Sequence, residues 1–110
     1  MNGTPEPRVI LLTTENHYQR LLSGAPETCG MRGGHLVLAP AAECGEHSTN
    51  SHEEVLVVLS GRGVARLGDG ASLAIGGGQI VYIPPYTTHN IVNTGAEVLR
   101  YVYVVAPIVA

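Results

Sequence analysis

The chain has 110 residues, 45% of them hydrophobic but none of them Phe or Trp, and a net charge of -3. This length suits one domain, and the weak negative charge without a Lys or Arg cluster argues against a nucleic acid partner. No apolar run approaches the roughly 18 residues that span a bilayer, and the N-terminus lacks the basic-then-apolar order of a signal peptide. We therefore expect a cytoplasmic protein with no membrane partner, in which Cys29 and Cys44 are reduced thiols.

The N-terminal part of the chain carries the weaker structural signals. Residues 1–8 are polar and contain proline, which predicts a flexible arm ahead of a single domain over residues 9–110. Residues 9–13 are expected to form a first strand. Residues 16–22 are expected to form a helical turn, which the following glycine and proline would end.

From Gly34 onward the sequence is almost entirely β in character. Short apolar, β-branched runs alternate with turn residues at intervals near ten residues, without helical segments between them. Asp69 and Gly70 mark a tight hairpin, because this pair tolerates the positive φ angles that such turns need. The pattern predicts an all-β sandwich or barrel, with strands at residues 35–38, 55–60, 63–67, 72–75, 79–83, 89–92 and 97–105.

One predicted strand is apolar on both faces. Side chains alternate between the faces of a strand, so His52 and Glu54 share a face with Leu56, whereas Glu53 and Val55 share the other face. A strand of this kind is covered on both sides, either by a second sheet and the N-terminal arm or by a second subunit. A homodimer is therefore expected.

Metal-capable side chains occur in two places along the chain. His47, His52 and Glu54 stand just before or at the start of that apolar strand, and His89 opens a later strand after a pair of prolines. Two imidazoles and one carboxylate form the set that holds non-haem iron and leaves positions open for substrate or dioxygen. With His52 as a third imidazole, the set suits Fe, Mn, Ni, Cu or Zn. Alternatively, these are ordinary polar residues of loops and strand ends.

The second of these places resembles a conserved motif of the cupin superfamily. That motif has a glycine, five residues, a proline, a histidine five positions later and an asparagine four positions after the histidine. Gly78, Pro84, His89 and Asn93 stand at this spacing. Without this resemblance, Asn93 would be interpreted as the cap of a turn that ends at Gly95.

The first place is similar to the other cupin motif, which has two histidines separated by one residue, then a glutamate and a glycine. His47, Glu54 and Gly61 occupy this frame. The resemblance covers about residues 34–105 and implies an antiparallel jelly-roll β-barrel, also called a double-stranded β-helix. It also implies a divalent transition metal held inside the barrel by the motif residues.

Two positions depart from the family pattern. Thr49 stands where the family has the second histidine of the first motif, and Tyr86 stands where a small residue, usually glycine, precedes the second-motif histidine. His52 is predicted to supply the missing imidazole, because it lies two residues before Glu54. Tyr86 could narrow the entrance of the barrel. The predicted metal ligands are therefore His47, His52, Glu54 and His89.

The resemblance implies a metal-dependent enzyme that acts on a small organic molecule, without selecting among dioxygenase, isomerase, decarboxylase and lyase chemistry. The alternative is a non-catalytic module that holds a sugar or an organic acid, and Thr49 at a ligand position favours it. A third hypothesis is a barrel that serves only dimerisation or attachment to another protein. Arginine could anchor a substrate carboxylate, and the arginines considered for this role are Arg62, Arg66 and Arg100.

Overall fold

The fold is seen in a computed structural model that describes residues 5–109. Within this range the chain forms nine strands, and no helix there has the length and hydropathy needed to cross a membrane. The first four residues of the predicted arm lie outside the described residues. The strands are β1 (Tyr18–Ser23), β2 (Arg32–Leu38), β3 (His47–Ser48), β4 (His52–Ser60), β5 (Arg62–Leu67), β6 (Ser72–Gly76), β7 (Ile80–Ile83), β8 (Thr88–Asn93) and β9 (Leu99–Pro107).

The strands form two antiparallel sheets that enclose a barrel. The five-stranded sheet has the order β1-β2-β9-β4-β7, and the four-stranded sheet has the order β3-β8-β5-β6. Most neighbouring strands are distant in the chain, because successive strands from β2 to β9 cross from one sheet to the other at nearly every step. This connectivity is that of a jelly roll. The predicted all-β jelly-roll fold is confirmed.

The seven strands predicted after Gly34 are all present, but the predicted N-terminal strand and the predicted helical turn are wrong. Residues 9–13 form no strand, and residues 16–22, predicted as a helical turn, contain most of β1. β1 is extended because it pairs with β2 across the sheet, and such pairing overrides a weak local signal. The Gln19 side chain takes up backbone groups of residues 9–13 that a strand would pair. It accepts a hydrogen bond from the Thr13 amide and donates one to the Leu11 carbonyl, each at 2.9 Å. The predicted domain boundary after residue 8 stays a prediction.

The core fills one end of the barrel and leaves the other end free. The predicted strand phase is confirmed in β4, where Glu54 and Leu56 are buried and Glu53 is exposed. Across the five-stranded sheet, Leu38 pairs with Leu99 at the filled end, whereas Arg32 pairs with Val105 at the other. The buried hydrophobic cluster comprises Leu38, Leu56, Val58, Ala65, Ile75, Val81, Ile83, Ile91, Leu99 and Tyr101.

Asn93, the asparagine of the second motif, joins three segments at the filled end of the barrel. Its buried side-chain amide donates to the Leu38 carbonyl at 2.9 Å and to the Glu97 carbonyl at 2.8 Å. Its side-chain oxygen accepts from the Gly95 amide at 2.9 Å. The turn cap expected at this position is therefore present, and the same side chain also pairs backbone groups that burial would otherwise leave unsatisfied.

The outer face of the five-stranded sheet buries a histidine. His35 is fully buried, and its Nε2 accepts a hydrogen bond from Nε of Arg100 at 3.2 Å. Burial lowers the pKa of His35 and the Arg100 guanidinium lowers it further, although the backbone of Thr13 acts in the opposite direction. His35 is therefore neutral in the folded protein, and Arg100 is engaged outside the barrel.

Because the pKa of His35 is lowered on folding, acid is expected to destabilise the protein through this residue. The contribution is complete above the ordinary histidine pKa of 6.5 and is lost as the pH falls through the lower folded-state pKa, since the unfolded chain then binds a proton that the folded chain rejects. Thermal unfolding between about pH 8 and pH 5 should show a shallower decline for His35→Gln than for wild type. His17→Gln, at an exposed position, should keep the wild-type slope, and an unchanged slope in His35→Gln would contradict the prediction.

Part of the same outer face remains exposed in a single chain. Ile80 is 70% exposed and Tyr82 is 53% exposed, and they pair with Val57 and Val55 of β4 respectively. The covering of both faces that the sequence predicts is thus incomplete within one chain. The homodimer stays a prediction.

Candidate metal centre

Three of the predicted ligands meet at the free end of the barrel. His47, Glu54 and His89 place one potential ligand atom each within 4.8 Å of the others. β3 pairs with β8 so that His47 stands directly opposite His89, with ring centroids 4.4 Å apart. Glu54 reaches the same point from the five-stranded sheet. The group therefore spans the interior between the two sheets.

Both imidazoles in this group are held through Nδ1. The Gly45 carbonyl lies 2.9 Å from Nδ1 of His47, and the Thr87 carbonyl lies 2.9 Å from Nδ1 of His89. A carbonyl can only accept, so each ring carries a proton on Nδ1, and the neutral form of each ring presents the lone pair of Nε2. A backbone carbonyl that fixes the tautomer in this way is typical of histidines that bind metals.

Nε2 of His89 is the unusual atom of the site. His89 is 1% exposed and Glu54 is 6% exposed. Nε2 lies 3.1 Å from the Glu54 carboxylate and forms no hydrogen bond among the described residues. Burial lowers the pKa of His89, but the adjacent Glu54 carboxylate and the Thr87 carbonyl raise it by more.

A lone pair and a carboxylate that face each other in a buried site need a positive charge between them. A proton or a metal cation would meet this need, and two imidazoles with one carboxylate form a ligand set for divalent transition metals. The residues present therefore fit the metal that the sequence predicts. This ligand set suits Fe, Mn, Ni, Cu or Zn.

Thr49, at the position of the missing second histidine, forms hydrogen bonds to the loop before β8. It is buried, its hydroxyl donates to the Pro84 carbonyl at 2.7 Å, and the same oxygen accepts from the Thr87 amide at 3.0 Å. The carbonyl of Thr87 in turn holds Nδ1 of His89. Thr49 therefore positions the loop that orients this ring.

His52, the fourth predicted ligand, lies beside the other three without joining them. It lines the same cavity, but the described group of ligand atoms within 4.8 Å contains only the other three residues. Its Nε2 lies instead 3.5 Å from the guanidinium of Arg32. The assignment of His52 as a metal ligand stays a prediction.

The candidate ligands line a cavity of about 800 Å³. Its wall includes Ile91, Tyr101 and Tyr103, which the strand phase places inside the barrel. None of the three arginines considered from the sequence belongs to the lining. The arginines that do line the cavity are Arg20 and Arg32, which sequence reasoning missed.

Tyr86 does not narrow the entrance in the described structure. Its side chain is 70% exposed and is not part of the cavity lining. Its φ of 54° lies in the left-handed region, which explains why glycine suits this position.

Two tyrosines form a polar pair in the cavity wall. The hydroxyls of Tyr18 and Tyr103 lie 3.1 Å apart, and both residues line the cavity. A Cβ at Gly34 would stand 2.6 Å from the Tyr18 ring and 3.0 Å from the Tyr103 ring, so the glycine admits both rings. Burial raises the pKa of Tyr103, as does its contact with Tyr18, and its hydroxyl stays protonated at neutral pH.

A jelly-roll barrel in which the buried Glu54 and His89 meet the exposed His47 defines the class of this protein. The sequence model of the cupin domain family matches residues 34–105. The chain belongs to the cupin family.

Comparisons with individual proteins agree with this assignment. A glucose-6-phosphate isomerase of Pyrococcus abyssi is 40% identical over 55 residues, which cover 46% of this chain and 29% of the isomerase. The match thus spans less than a third of that relative. The Schizosaccharomyces pombe Cnp3 cupin domain has a TM-score of 0.73 at 16% identity, over 83% of this chain and 64% of that chain. A Cupin 2 conserved barrel domain protein of Salinispora arenicola has a TM-score of 0.72 at 24% identity, over 91% and 90%. At these identities the two structures show the shared fold alone.

Proposed function

We propose that this cupin is a metal-dependent enzyme that acts on a small organic molecule, with His47, Glu54 and His89 as metal ligands. The observation that carries the proposal is the buried Nε2 of His89, which has no hydrogen bond among residues 5–109 and faces the Glu54 carboxylate at 3.1 Å. A proton on Nε2 would make this contact an ion pair, so the proposal also rests on His47, which brings a second imidazole to within 4.8 Å of the same two groups. The adjoining cavity supplies room for a substrate.

A divalent metal in this site would act as a Lewis acid on a carbonyl or carboxylate, or would activate dioxygen. The chain's own residues supply the remaining functions. Part of the cavity wall is apolar and consists of Leu36, Ile91 and Val105. This surface keeps bulk water from one side of a bound molecule. The paired hydroxyls of Tyr18 and Tyr103 can donate a hydrogen bond to a substrate oxygen.

Three classes of reaction suit a metal in this cavity. The relative from Pyrococcus abyssi is named an isomerase, which supports isomerisation as one candidate reaction. The short length of that match leaves the dioxygenase and lyase classes as candidates too, because one cupin barrel can host several chemistries.

A second candidate function is a non-catalytic module that holds a sugar or an organic acid. Thr49 favours it, because the hydroxyl at the position of a family ligand is already engaged with the Pro84 carbonyl and the Thr87 amide. Three ligands in place of four are expected to bind a metal less tightly. Binding of the small molecule would then depend on the cavity wall alone.

Turnover by metal-loaded protein separates the two candidates. We expect protein loaded with Fe, Mn, Ni or Zn to convert at least one member of a panel of hydroxy acids, keto acids and sugar phosphates. Proton NMR and oxygen consumption would follow the reaction. Chelation and dialysis should abolish the turnover, and return of the metal should restore it. Panel members that bind without conversion, with an affinity unchanged by chelation, would instead support the binding module.

A further inference from the structure

The cavity has a positively charged rim on the side of the five-stranded sheet. Arg20 and Arg32 both line it, and Glu54 is the single acidic residue among the described lining residues. Neither arginine forms an ion pair with any residue in the range 5–109. The negative charge of Glu54 is directed at His89, so the positive charge of the rim is left uncompensated.

Strand register places Arg32 in the same row as the candidate metal ligand Glu54. Arg32 pairs with Val105 of β9, and Val105 pairs with Glu54 of β4. Two strand spacings separate the backbones of Arg32 and Glu54 by roughly 10 Å. A molecule of a few carbon atoms can therefore approach both groups at once.

The Arg32 side chain is supported along its length. A Cβ at Gly24 would stand 3.0 Å from Cγ of Arg32, so the absence of a side chain at this glycine makes room for the aliphatic stem. The guanidinium lies 3.5 Å from Nε2 of His52. Arg32 is itself an exposed residue, and these contacts bring its guanidinium to the rim of the cavity, where an anion can reach it.

Arg20 comes from the neighbouring strand. It pairs with Gly34, the glycine over which the Tyr18 and Tyr103 rings lie. The rim thus combines two guanidinium groups with a pair of phenolic hydroxyls, all of which can donate hydrogen bonds to an oxygen anion.

We propose that Arg20 and Arg32 form an anion subsite, and that the molecule bound in the cavity carries a carboxylate or a phosphate at the end remote from His47, Glu54 and His89. This proposal rests on the proposed function for the identity of the other end of the molecule. The arginines determine specificity: they select anionic molecules over neutral ones of the same shape. They are not metal ligands, and their replacement should leave metal content unchanged.

The test uses the 110-residue chain loaded with cobalt(II) and compared with its metal-free form. Calorimetric titration with succinate and with glycerol 3-phosphate gives the affinity for each kind of anion, and succinamide and glycerol serve as neutral probes. We expect at least one anion to bind, and its affinity to fall by about tenfold or more in Arg32→Gln and in Arg20→Gln. Arg66→Gln, on β5 and outside the cavity lining, should bind as wild type does.

The two anions identify the source of the charge, since the tighter probe shows whether the subsite is built for carboxylate or for phosphate. Affinities unchanged in both cavity variants, neutral probes that bind as tightly as the anions, or no binding of either anion to wild type would overturn the proposal. Metal content measured in the same samples tests the proposed function separately. A wild type without metal would contradict the proposed function, whereas the dependence of anion affinity on the two arginines would still be measured in the metal-free protein.

Discussion

The His89→Ala variant is expected to contain almost no metal after reconstitution, where wild type should hold close to one ion per chain. His89 supplies a ligand atom that is buried, oriented by the Thr87 carbonyl and next to Glu54. Changes to groups that merely support a ligand weaken metal binding by about 10- to 100-fold, so loss of a ligand itself should cost more than about 100-fold. Elemental analysis after exposure to Fe, Mn, Ni and Zn measures the effect.

Two further variants sharpen this measurement. His17→Ala, at an exposed histidine outside the cavity lining, should retain the wild-type metal content. His52→Ala distinguishes a three-ligand site, in which metal content is retained, from a four-ligand site, in which it falls. A wild type that takes up none of the four metals would exclude the metalloenzyme and leave the binding module as the function to pursue.

The Gly61→Ala variant is expected to lose about 2–5 kcal/mol of stability, or to fail to fold. Gly61 connects β4 to β5 with a φ of +88°, and a Cβ there would overlap the Val98 carbonyl oxygen and stand 2.8 Å from Cα of Leu99. The left-handed conformation costs a residue with a side chain roughly 1–2 kcal/mol, and displacing packed backbone adds roughly 1–3 kcal/mol. Urea denaturation gives the free energy of unfolding.

Gly70→Ala is the matched control for this variant. Gly70 has a nearly identical φ of +91°, but no atom lies within 4 Å of the Cβ that alanine would add. The Gly70→Ala variant should therefore lose only the roughly 1–2 kcal/mol of unfolding free energy that backbone strain accounts for. Equal losses in the two variants would show that the Val98 and Leu99 backbone gives way and that the close approach at Gly61 has little energetic weight.

Sequence reasoning located the centre of the site better than its rim. The resemblance to the cupin motifs implied that His47, Glu54 and His89 meet, and strand alternation placed Glu54 on the buried face, because alternation depends on local geometry that the chain carries by itself. The same alternation would have found Arg32. Its strand was expected to begin at residue 35, and an earlier start puts Arg32 on the face shared by Leu36 and Leu38.

Other features depend on contacts between distant segments and were not accessible in this way. Arg20 enters the cavity only because β1 pairs with β2, and local signals had favoured a helical turn at that place. In the sequence Thr49 stands out only as the position of a missing histidine, and its role appears only when Pro84 and Thr87 stand beside it. The cytoplasmic location and the homodimer remain predictions, since neither depends on a feature that a single folded chain displays.

The candidate ligands belong to both walls of the barrel: His47 and His89 to the four-stranded sheet, and Glu54 to the five-stranded sheet. A bound ion would therefore cross-link the sheets at the end that the hydrophobic core leaves unfilled. An ion that binds only the folded chain raises the free energy of unfolding by about 1.4 kcal/mol for each tenfold excess of free metal over its dissociation constant. The melting temperature of the barrel would then follow the supply of metal, so that starvation for the ion would lower the amount of folded protein.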